Sequence, residues 1–228
     1  MSERAIFDEW PERYERWFTT PIGKLVRRVE GDLIEEMLAP GRGESILDAG
    51  CGTGIFTTDM LEAGARVVGL DISAPMLQVA RKKTDLPFPA VQGDMLYLPF
   101  VDGCFDKAVS ITALEFIENG RKAIDELFRV TRPGGVVVVA TLNSLSPWAE
   151  RRAAKTARGQ RHILENAFYR SPEELLALSA VSGVTGTVVH FAKDDDPEKA
   201  IVIERRGNSR GLNTGAFVAA RWQKPTDS

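Results

Sequence analysis

The stretch ILDAGCGTGIF, Ile46 to Phe56, sets three glycines in five positions directly behind a short apolar run. Glycine lacks a Cβ, so its backbone takes positive φ and lets a ligand lie against the main chain. A glycine-rich turn between a strand and a helix is where open α/β sheets hold nucleotide-like ligands. A dinucleotide fold would write G-x-G-x-x-G. Here Gly50, Gly52 and Gly54 write G-x-G-x-G, and Ile55 stands where the third glycine of that fingerprint belongs. The spacing sets aside a nicotinamide or flavin enzyme while keeping a nucleotide-like ligand.

Outward from that turn, short apolar runs alternate with helical patterns. SILDAG is a buried strand, and a helix from Ile55 to about Ala63 is stopped by Gly64 in the usual C′ position. RVVGLD is the second strand. Ser73 suits the N-cap of APMLQVARKK, with Pro75 in its first turn. PAVQGD and FDKAVSI supply the third and fourth strands; the helix RKAIDELFRVT follows, and RPGG turns the chain into VVVVATL. All-apolar strands alternating with helices imply a parallel sheet covered on both faces and wound by right-handed crossovers.

The flanks differ in texture. Residues 1 to 40 read as helical, with Trp10, Tyr14, Trp17 and Phe18 at helical spacing, then Leu25, Val29, Leu33, Ile34, Met37 and Leu38. Pro21 and Gly23 break the two patterns, and APGRGE stops the second. Residues 144–170 are polar and irregular for a core segment and read as a lid-like insertion over the sheet's ligand edge. SPEELLALSA opens as a capping box on Ser171 and Glu174. One helix is expected between Lys193 and Gly211, and VTGTVVHFA and TGAFVAARW complete the sheet as two strands.

Composition narrows the function classes. The chain has 228 residues, 27% charged and 43% hydrophobic, with formal net charge −3. That size suits a single domain, and the balance lacks the basic footprint of a nucleic-acid binder, so no nucleic-acid partner is expected. Arg27-Arg28, Arg81-Lys82-Lys83 and Arg151-Arg152 read as solvated helix faces. Cys51 and Cys104 are too few for a disulfide framework; Cys51 reads as a small loop residue and Cys104 as a small apolar residue leading into a strand. His162 and His190 stand in no metal-ligand spacing, so no metal is expected. The charged N-terminus and the lack of a long apolar run suggest a cytoplasmic enzyme without a membrane span.

LDAGCGTG, GLDIS, GDMLYLPF, FDKAVS and LFRVTRPGGVVVVATLN, taken in order over residues 44–143, resemble the class I S-adenosylmethionine-dependent methyltransferase family. The small-molecule group that includes the menaquinone and ubiquinone methyltransferases is the most similar. The expected fold is α/β: a doubly wound, mostly parallel seven-stranded Rossmann-like sheet, with helices on both faces and an antiparallel C-terminal strand. The expected organisation is one domain over 1–228: a helical cap at 1–40, the cofactor half at 44–143, the insertion at 144–170, and a C-terminal helix and strands at 171–228.

The resemblance implies S-adenosylmethionine as cofactor, adenosylhomocysteine as product and an unidentified small molecule as acceptor. The Gly50-Cys51-Gly52 backbone, with Gly54 completing the turn, would cradle the methionine part, and Asp48 would sit by its ammonium or brace the loop. Asp71, closing the second strand 17 positions beyond Gly54, would accept from the ribose hydroxyls; the alternative is an N-cap. Asp94 would accept from the adenine amino group, the Met95 N–H would donate to the ring, Ile72 would pack on its face, and Thr112 would join them from the fourth strand's end. The acceptor side falls to Tyr14, Trp17, Asn143, Trp148 and Arg151. Where the family often carries histidine, this chain has Leu114-Glu115-Phe116, so Glu115 is the candidate for polarising the acceptor, with loop bracing as its alternative. A cofactor-binding protein without transfer, or a methyltransferase acting on protein or tRNA, are the competing readings.

Overall fold

In the strand Ser45–Ala49 (β1), Ile46 and Leu47 point to opposite faces and both are fully buried, as a strand covered on both sides requires. The computed structural model describes residues 11–83, 88–159 and 164–226; Trp10 and His162 lie outside them. The remaining strands are β2 (Arg66–Asp71), β3 (Ala90–Gln92), β4 (Phe105–Ile111), β5 (Thr131–Leu142), β6 (Gly183–Val188) and β7 (Phe217–Gln223). They form one sheet in the order β3-β2-β1-β4-β5-β7-β6. The pairs among β1 to β5 are parallel, and β7 runs antiparallel to both β5 and β6. The expected architecture is the observed one.

The sheet divides two cores. Ile46, Val67, Val109, Val136 and Val138 face one layer, which includes α2 (Pro21–Leu38). Leu47, Leu70, Ala108, Val137 and Val139 face the other, built on α5 (Gly120–Val130). The alternation along β5 places neighbouring valines in different cores, so neither face is left to water. Strand order reverses between β1 and β4, which opens a crevice over their carboxyl ends.

The helical caps follow local chemistry. Helices α1 (Pro11–Thr19), α2, α6 (Pro147–Ala157), α7 (Pro172–Leu176) and α8 (Pro197–Ser209) each begin with proline, whose missing N–H costs nothing in a first turn. The capping box at Ser171 and Glu174 forms as expected. Ser73 Oγ accepts from the Met76 N–H at the head of α4 (Ala74–Lys83). The helix expected between Lys193 and Gly211 is α8, N-capped by Asp196.

Three local expectations are corrected. Gly23 lies inside the first turn of α2, its N–H bonded to the Thr20 cap at 3.1 Å. A Cβ there would lie 2.1 Å from the Trp17 carbonyl oxygen, so this glycine permits close approach of α1 rather than breaking a helix. RPGG lies within β5, absorbed by a register shift opposite Phe105 and Lys107. Cys104 is exposed rather than packed as an apolar residue. The polar segment after residue 144 includes a helix, α6.

Candidate active site

The glycine turn is held open by its own backbone. Gly50 and Gly52 have φ of 81° and 54°, in the left-handed region that side chains avoid. The N–H groups of Gly50 and Cys51 both donate to the Leu70 carbonyl, at 2.6 and 3.0 Å, tying the turn to the end of β2. A Cβ on Gly50 would lie 2.4 Å from the Ala113 Cβ, whereas one on Gly52 would meet nothing within 4 Å. Space beside Gly50 is filled by protein; Gly52 faces the cavity.

Two carboxylates brace this turn. Asp71 Oδ2 accepts from the Gly52 N–H and Oδ1 from the Ser73 N–H, each at 2.8 Å. Burial raises its pKa, and those hydrogen bonds oppose the shift. Asp48 Oδ2 accepts from Thr57 Oγ1 at 2.6 Å, linking β1 to α3 (Thr57–Glu62). Burial pushes Asp48 up to about 7; Thr57 opposes this and the Asp71 charge adds to it. Asp94 starts the turn after β3, its Oδ1 accepting from the Leu96 N–H at 2.9 Å.

A cavity of about 970 Å³ joins these groups to a second wall. Asp48, Gly50, Cys51, Gly52, Asp71 and Ile72 line it, as do Asp94, Met95 and Thr112 further along. The opposite wall carries Tyr14 and Trp17 of α1, Glu30 of α2, Glu115 and Phe116 after β4, and Trp148 and Arg152 of α6. Small-ligand sites span roughly 300–1,000 Å³, so this one has room for two small molecules.

Thr112 is strained at φ 50°, a left-handed conformation unusual for a β-branched residue. It is held there by its N–H, which donates to Ala140 O at 2.9 Å. Burial pushes the Tyr14 phenol well above its ordinary value. Glu15, one residue on, accepts from Thr53 of the glycine turn and from Lys83 Nζ, the latter at 2.6 Å. Helix α1 is therefore latched onto the turn by its own carboxylate.

Glu115 is 1% exposed, with Oε2 accepting from Thr141 Oγ1 at 3.1 Å. Burial pushes it up to about 7, against the Thr141 hydrogen bond and the charges of Arg170 and Arg152. Trp148 donates from Nε1 to the Phe191 carbonyl at 2.6 Å, which fixes its ring over the cavity.

Three expected site residues lie elsewhere. Asn143 is 0% exposed and its amide is consumed, Nδ2 donating to Asn213 O at 2.7 Å and Gly215 O at 2.8 Å while Oδ1 accepts from the Leu145 N–H. Arg151 is exposed and pairs with Asp194 at 2.5 Å; its neighbour Arg152, about 100° further round α6, lines the cavity instead. Gly54 backs onto Ala80 and Phe88 behind the turn. Cys51 lines the cavity, but its thiol is raised by burial, and its sulfur would lie 2.8 Å from a Cβ on Gly69; it is a packing residue.

Glu30 is the main residue that the sequence reading missed. It sits four residues from both Val26 and Ile34 on the buried face of α2, and a charge on an apolar stripe was the signal available. His190, expected in a strand, lies past the end of β6 at Val188 instead, with Nε2 3.2 Å from Thr187 O.

The Methyltransferase domain family matches residues 47–139. The malonyl-[acyl-carrier protein] O-methyltransferase of Pectobacterium atrosepticum is 32% identical over 186 residues, covering 72% of this chain and 73% of that protein. The demethylmenaquinone methyltransferase of Beutenbergia cavernae is 36% identical over 149 residues, covering 64% of this chain and 59% of the relative. The crystal structure of a SAM-dependent methyltransferase from Thermotoga maritima superposes with a TM-score of 0.70 at 23% identity, covering 96% of this chain and 99% of that one. The ordered motifs, the sheet and these relatives agree: the chain belongs to the class I S-adenosylmethionine-dependent methyltransferase family.

Proposed function

We propose that cofactor and acceptor meet in this one cavity, where the chain moves a methyl group from S-adenosylmethionine to a small molecule. The single observation carrying this reading is the continuity of the glycine-turn wall with the wall of Tyr14, Trp17, Glu30 and Glu115. The cofactor's groups fit the first wall. Gly52 leaves backbone without a side chain in the way, and Asp71 and Asp94 retain acceptor lone pairs beyond their internal hydrogen bonds. In this assignment Gly50 to Gly52 take the methionine part and Asp71 the ribose. Asp94, Met95 and Ile72 take the adenine, while Asp48 braces the turn and Thr112 stands between the two subsites.

When bound, S-adenosylmethionine supplies an electrophilic methyl on a sulfonium whose sulfur departs neutral. The chain's share is to hold the acceptor in line and exclude water, and proximity supplies much of the rate. Tyr14, Trp17 and Trp148 form the cover. Among the described residues no helix is long and apolar enough to cross a membrane.

Calorimetry with adenosylmethionine and adenosylhomocysteine tests the first half of this reading, and adenosylhomocysteine formation with a metabolite panel tests the second. Binding followed by turnover is expected; no binding of either at millimolar concentration overturns the assignment.

A further inference from the structure

Glu30 and Glu115 come from distant parts of the chain, α2 and the turn after β4, yet both line the acceptor wall. They are 7% and 1% exposed. Among the described residues neither forms an ion pair, and Glu30 has no side-chain hydrogen bond while Glu115 has only the one from Thr141. A carboxyl drawn into a mostly buried cavity wall is costly to ionise unless a partner reaches it from the cavity.

The surrounding cations do not settle this cost. Arg27 acts on Glu30 but is committed to both oxygens of Asp59, at 2.6 and 2.7 Å, and to Ile55 O. Arg170 acts on Glu115 but donates to the carbonyls of Leu114, Phe168 and Ile117. Arg152 acts on both carboxyls. Arg13 and Lys193 line the same cavity as Arg152, Lys193 with its Nζ 4.5 Å from the Trp17 ring centroid. Burial holds both groups above the usual carboxylate range, Glu30 up to about 8 and Glu115 up to about 7. The rings of Trp17, Trp148 and Phe116 line the same space; aromatic faces suit a cation, and Arg152 Cζ stands 5.5 Å from the Trp148 centroid, as Lys193 Nζ stands over Trp17.

Building on the proposed methyl transfer, we infer that the acceptor is an amine, bound by the Glu30 and Glu115 carboxyls and walled by Trp17 and Trp148. The amine enters as its ammonium and gives one proton to an ionised carboxylate of the pair, which exposes the nitrogen lone pair. Transfer forms the N–C bond as the donor S–C bond breaks; sulfur keeps the bonding electrons as a neutral thioether. Nitrogen ends as a substituted ammonium, which leaves as the charged product; the carboxyl then releases the proton it took to solvent at the cavity mouth, which returns the pair to one proton fewer than a neutral state.

The test uses the whole chain saturated with adenosylhomocysteine, with three size-matched probes: 2-phenylethylamine, 2-phenylethanol and phenylacetate. Calorimetry is expected to show at least tenfold tighter binding of the amine than of either oxygen compound. Glu30→Gln and Glu115→Gln, isosteric and without charge, are each expected to lose most of that preference while still binding adenosylhomocysteine, which shows them folded. In parallel, labelled methyl from adenosylmethionine is followed into a panel of amines, carboxylic acids and phenols. Label on nitrogen supports the inference. Equal or reversed preference in the wild type, or label only on oxygen or carbon (carboxylate methylation is what the Pectobacterium relative's name describes), overturns it. Wild-type binding of adenosylhomocysteine without an amine preference overturns this inference alone; failure to bind adenosylhomocysteine overturns the methyltransferase assignment with it.

Discussion

The Asp71 carboxylate accepts a 2.8 Å hydrogen bond from the Gly52 N–H, so the end of β2 sets the shape of the glycine turn. One side chain thus braces the loop and, in the assignment above, receives the ribose. Asp71→Ala is expected to weaken adenosylmethionine binding by about 1.5–3 kcal/mol, the range for a hydrogen bond to a charged group. Asp94→Ala should cost less, because water replaces part of one adenine contact. Calorimetry on folded variants checks the ranking; equal or greater loss at Asp94 reverses it.

The two glycines that line the cavity differ in what surrounds them. Gly50→Ala adds left-handed strain of roughly 1–2 kcal/mol and a clash with Ala113, whose Cβ would lie 2.4 Å away. Gly52→Ala adds the strain alone, since nothing lies within 4 Å. The melting temperature is therefore expected to fall further for Gly50→Ala, whereas cofactor affinity falls in Gly52→Ala even where the fold is intact. Equal melting temperatures would contradict the packing described.

Stability should vary with pH in a defined direction. Glu30, Asp48 and Glu115 have folded pKa values of about 8, 7 and 7, above their unfolded values of 4.5, 3.8 and 4.5. The folded state holds these protons more tightly, so the contribution is complete below the unfolded values and is lost as pH rises through about 7 to 8. Asp106, lowered to about 2 by hydrogen bonds from Ser45, acts oppositely, and its contribution fades only in strong acid. The cofactor-free protein is expected to melt several degrees lower at pH 8.5 than at pH 5.5. Each pKa unit is worth about 1.4 kcal/mol, and about 1 kcal/mol moves the melting point of a chain this size by roughly 2–4 °C. Glu30→Gln should flatten the dependence; an unchanged slope in that variant would remove Glu30 from the account.

Adjacent arginines on α6 should behave differently. Arg151→Ala removes an exposed pair with Asp194 and is expected to cost under about 1 kcal/mol of stability with turnover retained. Arg152→Ala removes a group that lines the cavity together with both buried carboxyls, so acceptor KM is expected to change severalfold. Stability curves and turnover on one acceptor distinguish the two positions.

Trp17 lines the cavity on α1, with Lys193 Nζ 4.5 Å from its ring centroid. Adenosylhomocysteine is expected to alter the tryptophan fluorescence of the wild type, and Trp17→Phe should remove most of that change. Slower amide exchange across residues 11–20 should accompany it, since Glu15 latches α1 to the glycine turn. A flat response in both measurements would leave α1 as scaffold.

The sequence by itself determined the sheet and its ligand edge, because those signals are local. Apolar runs of strand length, glycines at fixed spacing and an acid closing β2 are read within a few residues. Asp71 and the glycine turn could be found that way. Only the tertiary structure decided which charges face the cavity. Arg151 and Arg152 are neighbours in the chain, and a rotation of about 100° sends one to solvent and the other inward. Asn143 spends its amide on carbonyls of Asn213 and Gly215, 70 and 72 positions away, which no local spacing foretells. Glu30 and Glu115 come to line one cavity only in the folded chain. Their meeting is a property of packing, since long-range contacts place side chains that local periodicity can only assign to a face.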